Sequence, residues 1–218
     1  MDDFNTEEEQ IAALKKWWKE YSSSILMGVG VSLALIFGWQ AFQQKQIDEK
    51  SAASLKYKQL ITAVTAKDAE TDGAETISFL ANELKEQFQG TEYAIYASLF
   101  IAKESVQNKD LDTAITELNW VLANSEDTRI KHIVTGRLAR VLSSQDKNEE
   151  ALAMLVATDT AFEGDYLEII GDIKNRSGDK AGAIESYTKA FSLVKDSLQS
   201  QPLLAVKLSD LGVNPETL

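Results

Sequence analysis

The chain's single histidine, His132, stands in the string RIKHIVTGRLARV, and its imidazole is the group best suited to titrate near neutrality. A metal site would need carboxylates, further imidazoles or thiolates at ligand spacing from it. No carboxylate stands at such a spacing, and the 218 residues include no cysteine. His132 therefore reads as a solvated or helix-capping residue. The pair Glu149-Glu150 reads as the start of a helix, where negative charge favours the helix dipole, rather than as an acid–base couple. Neither a lysine-bearing phosphate loop nor a G-x-S-x-G nucleophile elbow occurs. Gly28-Val29-Gly30 lies inside an apolar run, with no strand before it and no third glycine at the offset a dinucleotide loop requires. The chain is expected to be no enzyme, with no catalytic residue, metal or cofactor.

Recognition chemistry remains, and its candidates fall at a repeating interval. Tyr96, Leu99, Lys103 and Val106 form a first set, Ile133, Gly136 and Arg140 a second, and Asp165, Glu168, Asp172 and Asn175 a third. In a stack of helix pairs these positions line one concave face, apolar and aromatic at one end and acidic at the other. Such a groove suits an extended or helical peptide with basic groups. Net charge is −12 over the chain, and from Ser51 onward 17 basic residues face 26 acidic ones. That field repels nucleic-acid phosphate and anionic lipid headgroups, so no nucleic-acid partner is expected.

The elements that must position these residues are helices. Both prolines, Pro202 and Pro215, lie near the C-terminus, and apolar residues recur at three- and four-residue intervals, as in Leu55, Leu60, Ile61 and Val64. Ala102, Ala114 and Leu118 share their offsets with Ala139, Ala151 and Leu155, and with Gly171, Ala183 and Tyr187, after which comes Ala190. Successive copies are 37 and 32 residues apart, near the 34 of tetratricopeptide repeats. A small residue in the first helix admits the second; the small residue twelve on receives it, and the larger one at sixteen fills the gap. Turn residues stand between the helices of each pair, at 108–110, 146–148 and 177–180. Only the third turn has a glycine, and a generic helical bundle is the competing architecture. Helices over 51–66 and 75–88 are predicted to form a divergent first pair, and one over 199–208 to cap the far end.

Ahead of the repeats, Ser24 to Phe42 is a 19-residue apolar run inside the uncharged stretch from Tyr21 to Gln44. As a helix it reaches about 30 Å, the hydrocarbon thickness of a bilayer. Trp17 and Trp18 precede it and Trp39 and Phe42 close it, as expected of rings at the headgroup level. Its bulky end lacks the small residues of a signal-peptidase site, so it reads as an uncleaved anchor. Gly30, Ala34 and Gly38 share one helix face, where small residues let another transmembrane helix approach. Lys15, Lys16 and Lys19 on the short side predict a cytoplasmic N-terminus. The expected organisation is a cytoplasmic acidic tail over 1–20, a transmembrane segment over 21–44 and an all-α domain of tetratricopeptide-like repeats over 45–218. Residues Met1 to Glu9 are expected to be disordered in isolation.

With these pieces in order, the chain resembles the YfgM-like family, ancillary subunits of the SecYEG translocon in the inner membrane of Gram-negative bacteria. The resemblance rests on EEEQIAALKKWWKE (Glu7 to Glu20), the anchor ending Gly38-Trp39, SAASLKYKQLITAV (Ser51 to Val64), RLARV (Arg137 to Val141) and SGDKAGA (Ser177 to Ala183). It implies a type II inner-membrane protein with a periplasmic repeat domain. It also implies association with SecYEG and the membrane-anchored chaperone PpiD, and a part in passing emerging secretory proteins to periplasmic chaperones. Two other classes stay open. One is a membrane regulator whose tail, Met1 to Glu20, restrains a cytoplasmic signalling factor. The other is an enzyme with an unrecognised site.

Overall fold

The computed structural model describes residues 7–65, 72–156, 162–194 and 202–218, and among them every regular element is helical. In order these are α1 (Glu7–Thr65), α2 (Asp72–Gln87), α3 (Glu92–Gln107), α4 (Leu111–Asn124), α5 (Thr128–Ser144), α6 (Asn148–Met154), α7 (Glu163–Arg176), α8 (Lys180–Val194) and α9 (Pro202–Asp210), then a 3-10 turn at Pro215–Thr217. The chain divides into two units, 1–52 and 53–218.

In the first unit α1 carries an 18-residue window of mean hydropathy 1.9, none of it buried by protein. Leu26, Met27, Leu35, Phe37 and Trp39 are all more than 60 % exposed. Water penalises that much bare apolar surface, and a bilayer removes the penalty. The start expected at Ser51 is not a helix boundary. Between Trp39 and Thr65 there is neither glycine nor proline, and α1 runs through without interruption. Glu7 to Glu9, expected to be disordered, are helical, as suits carboxylates in a first turn. Residues Met1 to Thr6 lie outside the described residues, as do Ala66 and 199–201 at the expected ends of two other helices.

In the second unit, Ala53 and Leu60 at the end of α1 share a core cluster with Ile77, Ala81, Leu84 and Ala97. Three pairs follow, α3–α4, α5–α6 and α7–α8, packed as the small-residue pattern requires. The eight non-glycine positions of that pattern are each at most 4 % exposed, and Gly171 is buried with them. A Cβ at Gly171 would collide with the ring of Tyr187, so the bare backbone is what lets the tyrosine fill the gap.

The turns repeat as closely as the core. Lys109, Asp146 and Gly178 all adopt left-handed backbone, with φ of 62°, 63° and 89°. The amide of each following residue donates to a carbonyl five residues back: Asp110 to Ser105 at 2.8 Å, Lys147 to Leu142 at 3.1 Å and Asp179 to Lys174 at 2.9 Å. The absence of glycine from the first two turns thus changes the residue and not the geometry. Gly212, with φ of 83°, closes α9 in the same way through Val213 to Leu208 at 3.0 Å. The cap is the first helix of a fourth repeat, with Leu204 and Leu208 buried in the cluster around Tyr187. Asp110 caps α4 by accepting from the Thr113 amide, and Asp127 caps α5 by accepting from Arg129 and Ile130.

The second pair departs from regularity: α6 has seven residues. The β-branched Val156 follows its end and disfavours continuation.

Two substitutions of opposite sign test this account. Gly171→Ala should cost about 2 kcal/mol of unfolding free energy by overpacking against Tyr187. Lys109→Gly should gain roughly 0.5 kcal/mol, the relief of left-handed strain exceeding the added chain entropy. Thermal melts of the detergent-solubilised chain read both; a stabilised Gly171→Ala variant would contradict the packing.

Candidate protein-binding groove

The residues expected to line a groove are positioned by the first helices of the repeats. Lys103, Arg140 and Asp172 each stand six residues before the left-handed residue of their turn, so the register is common to α3, α5 and α7.

The structure brings together the second and third sets. α5 and α7 pack directly, and two clefts open along their seam. One, of about 150 Å³, is lined by His132, Ile133, Gly136, Arg140, Asp165, Glu168 and Ile169. The other, of about 300 Å³, is lined by Arg140, Ser143, Asp172, Ile173, Asn175, Arg176 and Tyr187. Arg140 belongs to both. Ile169 lies where a Cβ on Gly136 would go, so the glycine lets the two helices close the floor.

Tyr96, Leu99 and Lys103 line neither cleft. Tyr96 is 37 % exposed and meets Tyr57 of α1 with ring centroids 6.1 Å apart. Leu99 packs against the central core cluster, and Lys103 reaches over its neighbour Phe100. Val106 is exposed. In the first unit, Gly30, Ala34 and Gly38 lie bare on α1, and a Cβ at either glycine would meet nothing within 4 Å.

The acidic end is not an open acidic surface. Lys207 of α9 donates to Glu168 at 2.6 Å and to Asp172 at 2.6 Å, and lies over the Tyr187 ring at 5.6 Å. Tyr187 donates its hydroxyl to the same Asp172 oxygen at 2.8 Å. Burial above all, and then the Asp172 and Glu168 carboxylates, push the Tyr187 phenol well above its ordinary value. Lys207 was legible to a degree. Gly212 stands 34 residues after Gly178, which marks α9 as a further repeat helix facing α7.

His132 is neither solvated nor a cap. It is 9 % exposed, stacked between Phe162 and Tyr166 at centroid distances of 3.9 and 4.1 Å, with Nε2 3.7 Å from Asp165. Aromatic partners 30 and 34 residues downstream leave no local signal, which is why sequence spacing missed them. Among the described residues no three His, Cys, Asp or Glu side chains cluster as metal ligands would. Elsewhere Lys85, Glu117 and Ser98 form a buried polar knot, with Lys85 to Glu117 at 2.6 Å and Ser98 to Glu117 at 2.6 Å, which ties α2, α3 and α4 together.

A family model described as a tetratricopeptide repeat-like domain matches residues 15–213. An ancillary SecYEG translocon subunit of Haemophilus influenzae is 30 % identical over 94 % of this chain and 97 % of its own length. The chain belongs to the YfgM-like family. Its similarity to the ancillary SecYEG translocon subunit of Escherichia coli is 29 % identity over 98 % of this chain and 100 % of that one. The solved structure of Pseudomonas aeruginosa pilF superimposes with a TM-score of 0.54 at 18 % identity, covering 75 % of this chain and 68 % of the other, a likeness of fold. Within the family architecture, the seam between α5 and α7 is where two clefts meet Arg140 and Arg176, neither of which has a carboxylate partner among the described residues.

The Tyr187 phenol links groove and core, and pH exposes the link. Its folded pKa lies above the unfolded value, so its contribution to stability is complete below about pH 10 and declines as pH rises further. Tyr187→Phe should lower stability at neutral pH by about 1 kcal/mol. It should also flatten the fall in melting temperature above about pH 10. An equally steep fall in the variant would assign that fall to other groups.

Proposed function

We propose that this protein is a non-enzymatic, membrane-anchored adaptor associated with the SecYEG translocon. The observation that carries the reading is the union in one chain of a bare apolar helix and a repeat stack. Near full-length similarity to proteins named as ancillary subunits of that channel supports it. Anchoring keeps the groove beside one membrane complex, so weak contacts act at a high effective concentration.

The anchor crosses the inner membrane once. Lys15, Lys16 and Lys19 stay with the tail on the cytoplasmic side, and the repeat domain stands in the periplasm. In that compartment the groove receives emerging secretory chains and passes them to chaperones, the membrane-anchored PpiD among them. The face of Gly30, Ala34 and Gly38 gives the anchor a surface for close packing against a transmembrane helix of the channel.

Affinity purification of the full chain from its own membranes in mild detergent tests the reading. Channel subunits together with a periplasmic chaperone are the expected companions, and Gly30→Ile with Gly38→Ile should reduce the channel's recovery. A cytoplasmic regulator recovered without the channel would overturn the adaptor and move the function to the tail over 1–20.

A further inference from the structure

The charges along the α5–α7 seam do not suit the basic peptide that its sequence suggests. Glu168 and Asp172, the carboxylates that made this end look acidic, both hold Lys207, and Asp172 also accepts from Tyr187. One lysine offsets only one of these two charges, but the groups left with no partner of opposite sign among the described residues are the arginines. Arg140 forms no ion pair among the described residues, and Arg176 donates only to the neutral Ser144 hydroxyl, at 3.2 Å. Both guanidinium-bearing side chains line the cleft of about 300 Å³, and Asn175 adds an amide there. In a chain of net charge −12, two exposed arginines without carboxylate partners on one cleft are a local reversal of sign.

We propose that this cleft binds a carboxylate of a partner polypeptide, gripped by Arg140 and Arg176 with Asn175 beside them. A guanidinium presents two parallel N–H groups that match the two carboxylate oxygens, which an amide or a lysine does not reproduce. The adjoining cleft fixes the direction of the bound chain. Arg140 borders it as well, and beyond the arginine lie the 51 % exposed Ile133 and the floor of Gly136 and Ile169. Asp165 stands at the far end, beside His132. An anionic group therefore sits at the Arg140–Arg176 end, and an apolar side chain next to it covers Ile133. A lysine in the same position would meet Arg140, Arg176 and Lys207 and be repelled. This ligand chemistry rests on the groove reading of the adaptor and replaces the basic partner with an acidic one.

The test uses the full chain in lipid nanodiscs and fluorescence anisotropy of labelled twelve-residue peptides. Their sequences are identical and leucine-rich except for one central residue, Glu, Gln or Lys, and all have amidated C-termini. A fourth peptide carries Gln with a free C-terminal carboxylate. The Glu peptide should bind about fivefold tighter than the Gln peptide, the upper range for a solvent-exposed ion pair, and the preference should shrink with added salt. Arg140→Gln and Arg176→Gln should each erase the preference for Glu over Gln, with a thermal melt of each variant showing that the chain remains folded. Arg140→Lys should retain part of it. Tighter binding of the free-carboxylate peptide than of its amidated twin would assign the site to chain termini; tighter binding of the Glu peptide alone assigns it to acidic side chains. Equal affinities for Glu and Gln, a preference for Lys, or a preference that survives Arg140→Gln would overturn the proposal. So would a failure of every peptide to bind. Co-purification of the channel with the wild-type chain in that last case would leave the adaptor standing without this site.

Discussion

Helices in this domain can approach each other only where side chains are small, and that closeness is the constraint on which the rest depends. Ala102 and Ala114, Ala139 and Ala151, and Gly171 and Ala183 are buried on the two helices of each pair, where small side chains permit a close crossing. With that crossing established, the larger residues Leu118, Leu155 and Tyr187 fill what is left and join the core clusters. Bulk at any crossing would push the helices apart and shift the register of the next pair, because each repeat is stabilised by its neighbours. The groove is a consequence. Arg140 and Asp172 share a register because the crossings and turns beneath them do.

The third repeat shows how the core and the α5–α7 clefts are joined. Tyr187 occupies the space left by Gly171, and its buried ring delivers a hydroxyl to Asp172. Asp172 then holds Lys207, whose helix buries Leu204 and Leu208 in the same cluster. The cap that ends the stack thus also decides the charge of the groove. Terminal helices of a repeat array must present one face to water, and here that helix carries the one cation that bridges Glu168 and Asp172.

Much of this was legible because its determinants are local or periodic. The apolar anchor, the helical class, the three small-residue sets and the turn inside each of the three pairs follow from composition and offsets within about 37 residues. The continuity of α1 was less visible. A helix that leaves an apolar run without glycine or proline has no stop signal, yet the change from apolar to charged residues near Gln44 resembles one. At the candidate site, the common register of Lys103, Arg140 and Asp172 was legible from the repeats, whereas which positions line the clefts, and the electrostatics there, were not. The pairing of Lys207 with two carboxylates 35 and 39 residues earlier, and the stacking of His132 on Phe162 and Tyr166, depend on side chains meeting across helices. Periodicity places a helix face; it does not say which charges on facing helices find each other.

That distinction bears on how an acidic protein can recognise anything acidic. Net charge governs the long-range field, which salt screens within about 8 Å at physiological ionic strength. Recognition at a cleft is decided inside that distance, by the groups that still lack partners. The domain's excess of carboxylates is spread over caps such as Asp110 and Asp127, exposed helix faces, and internal pairs with Lys56, Lys85 and Lys207. Along the α5–α7 seam Lys207 holds Glu168 and Asp172, while Arg140 and Arg176 have no carboxylate partner among the described residues. A global charge of one sign and a local site of the other are then compatible. The first sets the long-range field, and the second acts only on groups brought to close range.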